Sequence, residues 1–298
     1  MRYRQLGKSG LQVSEIGFGC MSLGTNDTNN EYLIHRAVAL GINFFDTADI
    51  YDRGLNEISV GRILKNKRKE LIIATKVGNK ARPGETALDW DPRKEYIIKA
   101  VEESLLRLQT DYIDLYQLHG GTIEDNIEDT VDAFETLQKQ GKIRYYGISS
   151  IRPNVIREYI RLSNIVSVMM QYSLLDRRPE ENCFSLLLES NIGVLARGGI
   201  AKGLLVNKPA TPFLNYDEEG VRKAEAAISS LSNSQRSSAQ VALQFILQHP
   251  AITSAVAGIR SIDQLEDIAG TVNAPTLSET EMDLLRQSIP VNYYDQHR

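Results

Sequence analysis

Four residues in the first half of the chain, Asp46, Tyr51, Lys76 and His119, carry side chains whose chemistries complement one another. A tyrosine hydroxyl can give up a proton, but its ordinary pKa of about 10 is too high for neutral pH unless a nearby cation favours the phenolate. A lysine is such a cation. A carboxylate keeps that lysine charged and in place, and an imidazole can hydrogen-bond to a carbonyl oxygen. Together they form a set suited to protonating a carbonyl oxygen as negative charge develops on it, while a hydride arrives at its carbon. The set works only if the fold gathers it from a span of more than seventy residues.

The pattern of elements supplies a way to gather it. Compact apolar runs occur at residues 15–19, 43–46, 71–76, 113–119, 143–149, 166–171, 192–197 and 252–258, and each is followed by a longer helical pattern. The run Leu71-Ile72-Ile73-Ala74 is apolar on both faces, as in a parallel sheet covered on both sides. Residues 92–108 place Ile97, Ile98, Val101, Leu105 and Leu108 on one helical face, suited to covering such a strand. Thr28 with Glu31 is spaced as a capping box, Gly41 can end that helix, and Asp91-Pro92 reads as a cap followed by proline in the first turn. Residues 1–13 read as a hairpin turning at Lys8-Ser9-Gly10. Residues 198–238 read as an insertion on the functional face, with an extra helix at 218–231. Ser278 and Glu281 cap a last helix, and residues 290–298 read as an exposed tail bordering a substrate mouth.

Eight strand and helix pairs can close a barrel or form open doubly wound sheets. The chain has neither a linker-like stretch nor a G-x-G-x-x-G or G-x-x-x-x-G-K-[ST] fingerprint, and its 298 residues match one barrel with insertions. The expected fold is therefore α/β: a single (β/α)8 TIM barrel domain over residues 1–298, with an N-terminal β-hairpin and extra helices near the C-terminus. In such barrels catalytic side chains stand at the C-terminal ends of strands, where the strand-to-helix loops converge. Six consecutive runs end on a polar residue there: Asp46, Lys76, His119, Ser149, Gln171 and Arg197. Any one alone would be an ordinary loop-edge residue; the recurrence points to a functional rim.

Composition narrows the partners. With 34 basic and 38 acidic residues mixed along the chain, the net charge of -4 gives no footprint for nucleic acid or an anionic membrane. Two cysteines, Cys20 and Cys183, are too few for a disulfide framework, the first twenty residues lack the sections of a signal peptide, and no apolar run is membrane-length. A soluble, cytoplasmic protein is expected. No H-E-x-x-H or Cys/His cluster suggests a metal; His35, His249 and His297 read as helix-surface, helix-end and tail residues. Cys20 reads as a small buried hydrophobe and Glu57 as a structural partner beneath the rim, while Trp90 either faces substrate or packs on the barrel mouth.

The stretch Gly41-Ile42-Asn43-Phe44-Phe45-Asp46-Thr47-Ala48, followed by Tyr51, Glu57 and Gly61, closely resembles the aldo-keto reductase signature. Ala74-Thr75-Lys76, Ser104 to Leu108 leading to Asp111-Tyr112-Ile113-Asp114-Leu115-Tyr116 and His119, Gly147-Ile148-Ser149, Gln171-Tyr172, and Gly258-Ile259-Arg260 with Gln264 follow in the family's order. The resemblance spans nearly the whole chain and is of the bacterial type, related to the branch of channel-associated β subunits. It implies hydride transfer from NADPH to a small-molecule carbonyl substrate, with Asp46, Tyr51, Lys76 and His119 as the catalytic tetrad. It also implies that Ser149 and Gln171 hold the nicotinamide carboxamide, that Met21 lies beside the cofactor, and that residues 258–267 cradle the adenosine phosphate. Arg260 and a helix N-terminus give that cradle a physical basis, and Gln264 reads equally as a capping partner of Ser261. Three positions depart from the family's habit: Ser150 and Ile268 replace asparagines, and Arg197 replaces an aromatic that stacks on the nicotinamide. Arg197 is flat enough to lie on a ring, or it can reach the pyrophosphate. The alternatives to a carbonyl reductase are a cofactor-binding regulatory subunit and an NAD-dependent sugar or polyol dehydrogenase working oxidatively. Specificity is expected in the loops at 21–26, 81–90 and 120–126, the insertion and the tail.

Overall fold

The structure is a computed structural model that describes every residue except Thr25 and 82–86. Parts of the loops at 21–26 and 81–90 named above therefore lie outside the described residues. A hairpin of β1 (Tyr3–Gln5) and β2 (Gln12–Ser14) precedes β3 (Ile16–Gly19), α1 (Asp27–Ala39), β4 (Phe44–Asp46), α2 (Leu55–Leu64) and β5 (Ile72–Val77). A second small hairpin, β6 (Asn79–Ala81) with β7 (Leu88–Trp90), leads to α3 (Lys94–Leu108), β8 (Ile113–Leu118) and α4 (Ile127–Lys139). Then come β9 (Ile143–Ser149), α5 (Pro153–Leu162), β10 (Ser167–Gln171), α6 (Cys183–Glu189), β11 (Gly193–Arg197), α7 (Glu218–Ser230), α8 (Ser238–Leu247), β12 (Ile252–Gly258), α9 (Ile262–Gly270) and α10 (Glu279–Ser288). Strands β3, β4, β5, β8, β9, β10, β11 and β12 are parallel neighbours in that order, and β12 pairs with β3 to close the barrel. The expected (β/α)8 barrel is present, and its eight strands lie within one residue of the apolar runs.

Alternation along each strand explains where the polar side chains go. Because successive residues point to opposite faces, every second position faces the barrel axis. Phe44, Ile72, Ala74, Leu115, Met169, Leu195 and Val256 form one apolar cluster inside the barrel. The next inward positions up the strands are Asp46, Lys76, Gln117, Gln171, Arg197 and Gly258. The interior is thus apolar below and polar at the rim. Residues of opposite parity, such as Phe45, Ile73, Tyr116 and Met170, pack outward with the helices. The hairpin closes the lower end: Leu6, Leu11 and Val13 join the interior cluster, and Arg4 Nη1 donates to the Ile252 carbonyl at 2.7 Å.

Several local expectations are corrected. Helix α1 is capped by Asn26, whose side chain accepts from the Asn29 N–H, in place of Thr28; an N-terminal cap two residues earlier satisfies the same orphan donors. Helix α3 starts at Lys94, because Asp91 bonds the Arg93 guanidinium and backbone and the Asp129 carboxylate takes the Lys94 N–H at 2.9 Å. Gly41 ends α1 with φ of 88°, and Ser278 with Glu281 forms the capping box of α10, as expected. In the insertion, α7 packs against α8 and α10 on the outer layer. The tail is not a free border. Asn292 and Tyr294 are buried, Asn292 Oδ1 accepts the Arg177 N–H at 2.9 Å, and His297 O accepts the Asn154 N–H at 2.9 Å. The tail straps the loop after β10 to the start of α5.

Candidate active site

Asp46 ends β4, Lys76 stands near the end of β5, and Gln117 on β8 is the register partner of Lys76. Lys76 Nζ donates to Asp46 Oδ2 at 2.7 Å and to the Thr47 carbonyl at 2.7 Å, and lies 3.4 Å from Tyr51 Oη. Gln117 Nε2 completes the carboxylate's contacts at 3.4 Å. The His119 ring packs edge-on to Tyr51 with 5.9 Å between centroids, and its Nδ1 is buried with no partner among the described residues. Asp46, Lys76, Tyr51 and His119 therefore meet at one point of the rim. Asn56 ties this point to the first loop, accepting from Thr47 Oγ1 at 2.6 Å and donating to the Cys20 carbonyl at 2.8 Å. Beneath it, Glu57 accepts from Thr75 Oγ1 at 2.5 Å and Arg107 Nε at 2.6 Å, as its expected structural role requires.

The loop that carries Tyr51 is held in an uncommon shape. Asp52 and Arg53 have φ of 47° and 55° and Gly54 has φ of 88°, three left-handed residues in succession. Each such non-glycine residue costs on the order of 1 kcal/mol. Gly54 is required twice over, because a Cβ there would stand 2.7 Å from Arg107 Cδ, on the path by which Arg107 reaches Glu57. Trp90 backs the opposite side of the mouth. It donates to Asp125 Oδ1 at 3.0 Å and leaves only 2.8 Å for a Cβ at Gly78, whose φ is 118°. Its ring packs against Gly78 and Gly120 at the barrel mouth.

Burial governs the electrostatics. It works against both charges of the Asp46–Lys76 pair, raising the carboxyl and opposing the ammonium, yet the contact with Asp46 carries Lys76 above its ordinary value. Burial also raises Tyr51, and the lowering by Lys76 does not overcome it. The expected net depression of the tyrosine is thus corrected: the phenol is fully protonated at neutral pH, with Lys76 placed to stabilise its oxygen when the proton leaves. Asp49, which sequence reading missed, is pushed up to about 8 by burial and by Glu57, against Arg107, and one of its oxygens has no partner among the described residues. Cys20 is buried and its thiol pushed up by desolvation, as a packing residue should be.

His119 is pushed down to about 3 by burial, with Lys76 and Arg197 adding to it. The imidazole is neutral at physiological pH. A group whose folded pKa lies below its ordinary value of 6.5 contributes stability that is present above that pH and is lost as pH falls toward 3. The expected result is that the His119 ring protons, followed by NMR, show no titration between about pH 5 and 8. A midpoint near 6.5 in that experiment would contradict the burial argument.

The remaining rim residues surround this point. Ser149 is buried at the end of β9, and Gln171 and Arg197 are register partners at the ends of β10 and β11. Arg197 is half-buried, and no carboxylate or hydrogen-bond acceptor among the described residues pairs with its guanidinium. Met21 is exposed in the turn Cys20–Ser22, and Gly258 is exposed at the end of β12. Ser261 caps α9 by accepting from the Gln264 N–H, but the Gln264 side chain accepts from the Arg260 N–H at 3.0 Å in place of a reciprocal bond to Ser261. The Arg260 side chain is exposed beside this helix start. Ser150 and Ile268 are buried, Ile268 within the core.

Residues 15–290 match the aldo/keto reductase family. The chain belongs to that family. It is similar over its full length to the Bacillus subtilis protein named uncharacterized oxidoreductase YqkF, at 49% identity with both chains wholly covered. A solved structure of the aldo-keto reductase AKR11C1 from Bacillus halodurans in its holo form is also 49% identical and superposes with a TM-score of 0.95, covering 100% of this chain and 99% of that one. The L-galactose dehydrogenase of Arabidopsis thaliana is 30% identical over 93% of this chain and 92% of its own. This aldo/keto reductase is an oxidoreductase of a nicotinamide-using family. Among its described residues no helix is long and apolar enough to cross a membrane, and no group of His, Cys, Asp and Glu is arranged to hold a metal ion.

Proposed function

We propose that this chain, as a single barrel domain, reduces the carbonyl of a small aldehyde or ketone with NADPH, Tyr51 delivering the proton. The observation that carries the reading is the chain of contacts from Asp46 to Lys76 at 2.7 Å and on to Tyr51 at 3.4 Å, with the unpartnered His119 nitrogen beside it. His119 and Tyr51 hydrogen-bond the carbonyl oxygen, Lys76 stabilises the phenolate left behind, and Asp46 with Gln117 keeps Lys76 in position. The bound dihydronicotinamide supplies the hydride. Among the described residues an unpaired buried nitrogen and an unpaired guanidinium at one rim fit a ligand that brings both acceptors and charge. Ser149 and Gln171 would hold the carboxamide, Met21 and Arg197 flank the ring, and Gly258, Arg260 and Gln264 hold the adenosine phosphate. The decisive assay incubates purified protein with a panel of aldehydes, ketones and alcohols and each nicotinamide, following dihydronicotinamide absorbance. Many turnovers of NADPH support the reading; oxidation of no more than one equivalent points to a binding subunit.

Arg260→Ala is expected to weaken NADPH more than NADH, because only NADPH carries the 2′-phosphate that a guanidinium can pair with. One charge-assisted contact contributes about 1.5–3 kcal/mol, so the preference for NADPH drops by about ten-fold or more. Equal weakening of both cofactors in fluorescence titrations would move Arg260 out of the phosphate site. The likeness to an enzyme named as a sugar dehydrogenase gives a second reading, alcohol oxidation with NAD. The same four residues serve it by microscopic reversibility, and initial rates in the two directions separate the readings.

A further inference from the structure

The charges at the rim do not sum to zero. Asp46 is matched by Lys76 at 2.7 Å, His119 is neutral, and Tyr51 is a neutral phenol. Asp176, the other carboxylate that acts on Arg197, is buried and already held by both arms of Arg178 at 2.8 Å. Among the described residues Arg197 is left as a half-buried positive charge with no ion-pair partner of its own. Its field reaches Asp46, Tyr51 and His119 alike. A ring that gives hydride to a carbonyl held on Tyr51 must come within about 3.5 Å of that carbonyl carbon, so it enters the same field.

We propose that Arg197 makes this site discriminate between the oxidation states of the nicotinamide, holding the uncharged reduced ring more tightly than the positively charged oxidised ring. This rests on the nicotinamide reading given above. A like charge several ångströms away in a partly dry site changes an equilibrium by roughly ten-fold. An aromatic residue at this position would stack on either form without that penalty. The same guanidinium stabilises the negative charge that develops on the carbonyl oxygen, and it speeds departure of the spent cofactor.

The test measures dissociation constants for NADPH and NADP⁺ separately by calorimetry, in the unaltered protein and in Arg197→Gln, Arg197→Met and Arg197→Lys, each checked by thermal melt. The expected result is that the ratio of the NADP⁺ constant to the NADPH constant falls about ten-fold in the two neutral variants, chiefly because NADP⁺ tightens, and stays within about two-fold in Arg197→Lys. Equal weakening of both forms would overturn the proposal by placing the guanidinium on a group they share, such as the pyrophosphate. Unchanged constants would overturn it by removing Arg197 from the ring's surroundings. If the unaltered protein binds neither form, the nicotinamide reading itself falls; binding with an unmoved ratio sinks this inference alone.

Discussion

In Tyr51→Phe, turnover of a carbonyl substrate falls by at least about 100-fold, the usual effect of losing a general acid, while NADPH binds as before. The substitution removes one oxygen and leaves the ring, so the edge-on packing against His119 is kept. The strained turn that follows is untouched, since its conformation is set by Asp52, Arg53 and Gly54. A loss in kcat with unchanged cofactor titration thus reads the missing proton and not a collapsed loop. Near-normal turnover would take the proton donor's role from Tyr51.

Lys76→Met is expected to lose activity to a similar degree and to lose stability as well. Burial already raises Tyr51 with Lys76 in place, so without the ammonium the phenol is harder still to ionise. Asp46 would then be a buried carboxylate with only Gln117 as a hydrogen-bond donor and Arg197 acting on it from a distance, and breaking such a pair costs about 3–5 kcal/mol. Adding Asp46→Asn removes the stranded charge, so the double variant should recover much of the melting temperature and none of the activity. If activity returned with stability, Lys76 would be a structural residue only.

The parallel sheet was legible because its strands are covered on both faces, which gives short apolar runs, and the length of the chain with the lack of a linker or a nucleotide-binding fingerprint chose the barrel over open doubly wound sheets. The rim was legible as strand-end polarity, although the alternation that selects it went unread; counting two residues up from Leu115 would have found Gln117. Asn56 and Asp49 carried no such signal, since their importance comes from what the fold places around them. The direction of the Tyr51 shift failed for the same reason: a neighbouring lysine can be guessed from chemistry, whereas the extent of burial is a property of the whole packed loop. The hairpin of β6 and β7 pairs only three residues a side, too few for the alternation Leu88-Asp89-Trp90 to announce it. The tail reads as polar and solvent-bound, yet Asn292 and Tyr294 are buried by partners more than a hundred residues away in sequence.

The hairpin that closes the lower end of the barrel also fixes when the barrel can be finished. Arg4 bonds the Ile252 carbonyl across 248 residues of sequence, and β3 finds one of its two neighbours only in β12. At about 5–20 residues per second, a ribosome releases the amino-terminal strands tens of seconds before their partners exist. Throughout that interval Leu6, Leu11 and Val13 are apolar side chains without their interior, and the growing sheet keeps two open edges. Such long-range closure slows folding and exposes a nascent chain to association. Chaperone dependence during synthesis is therefore expected to end only when translation has passed β12.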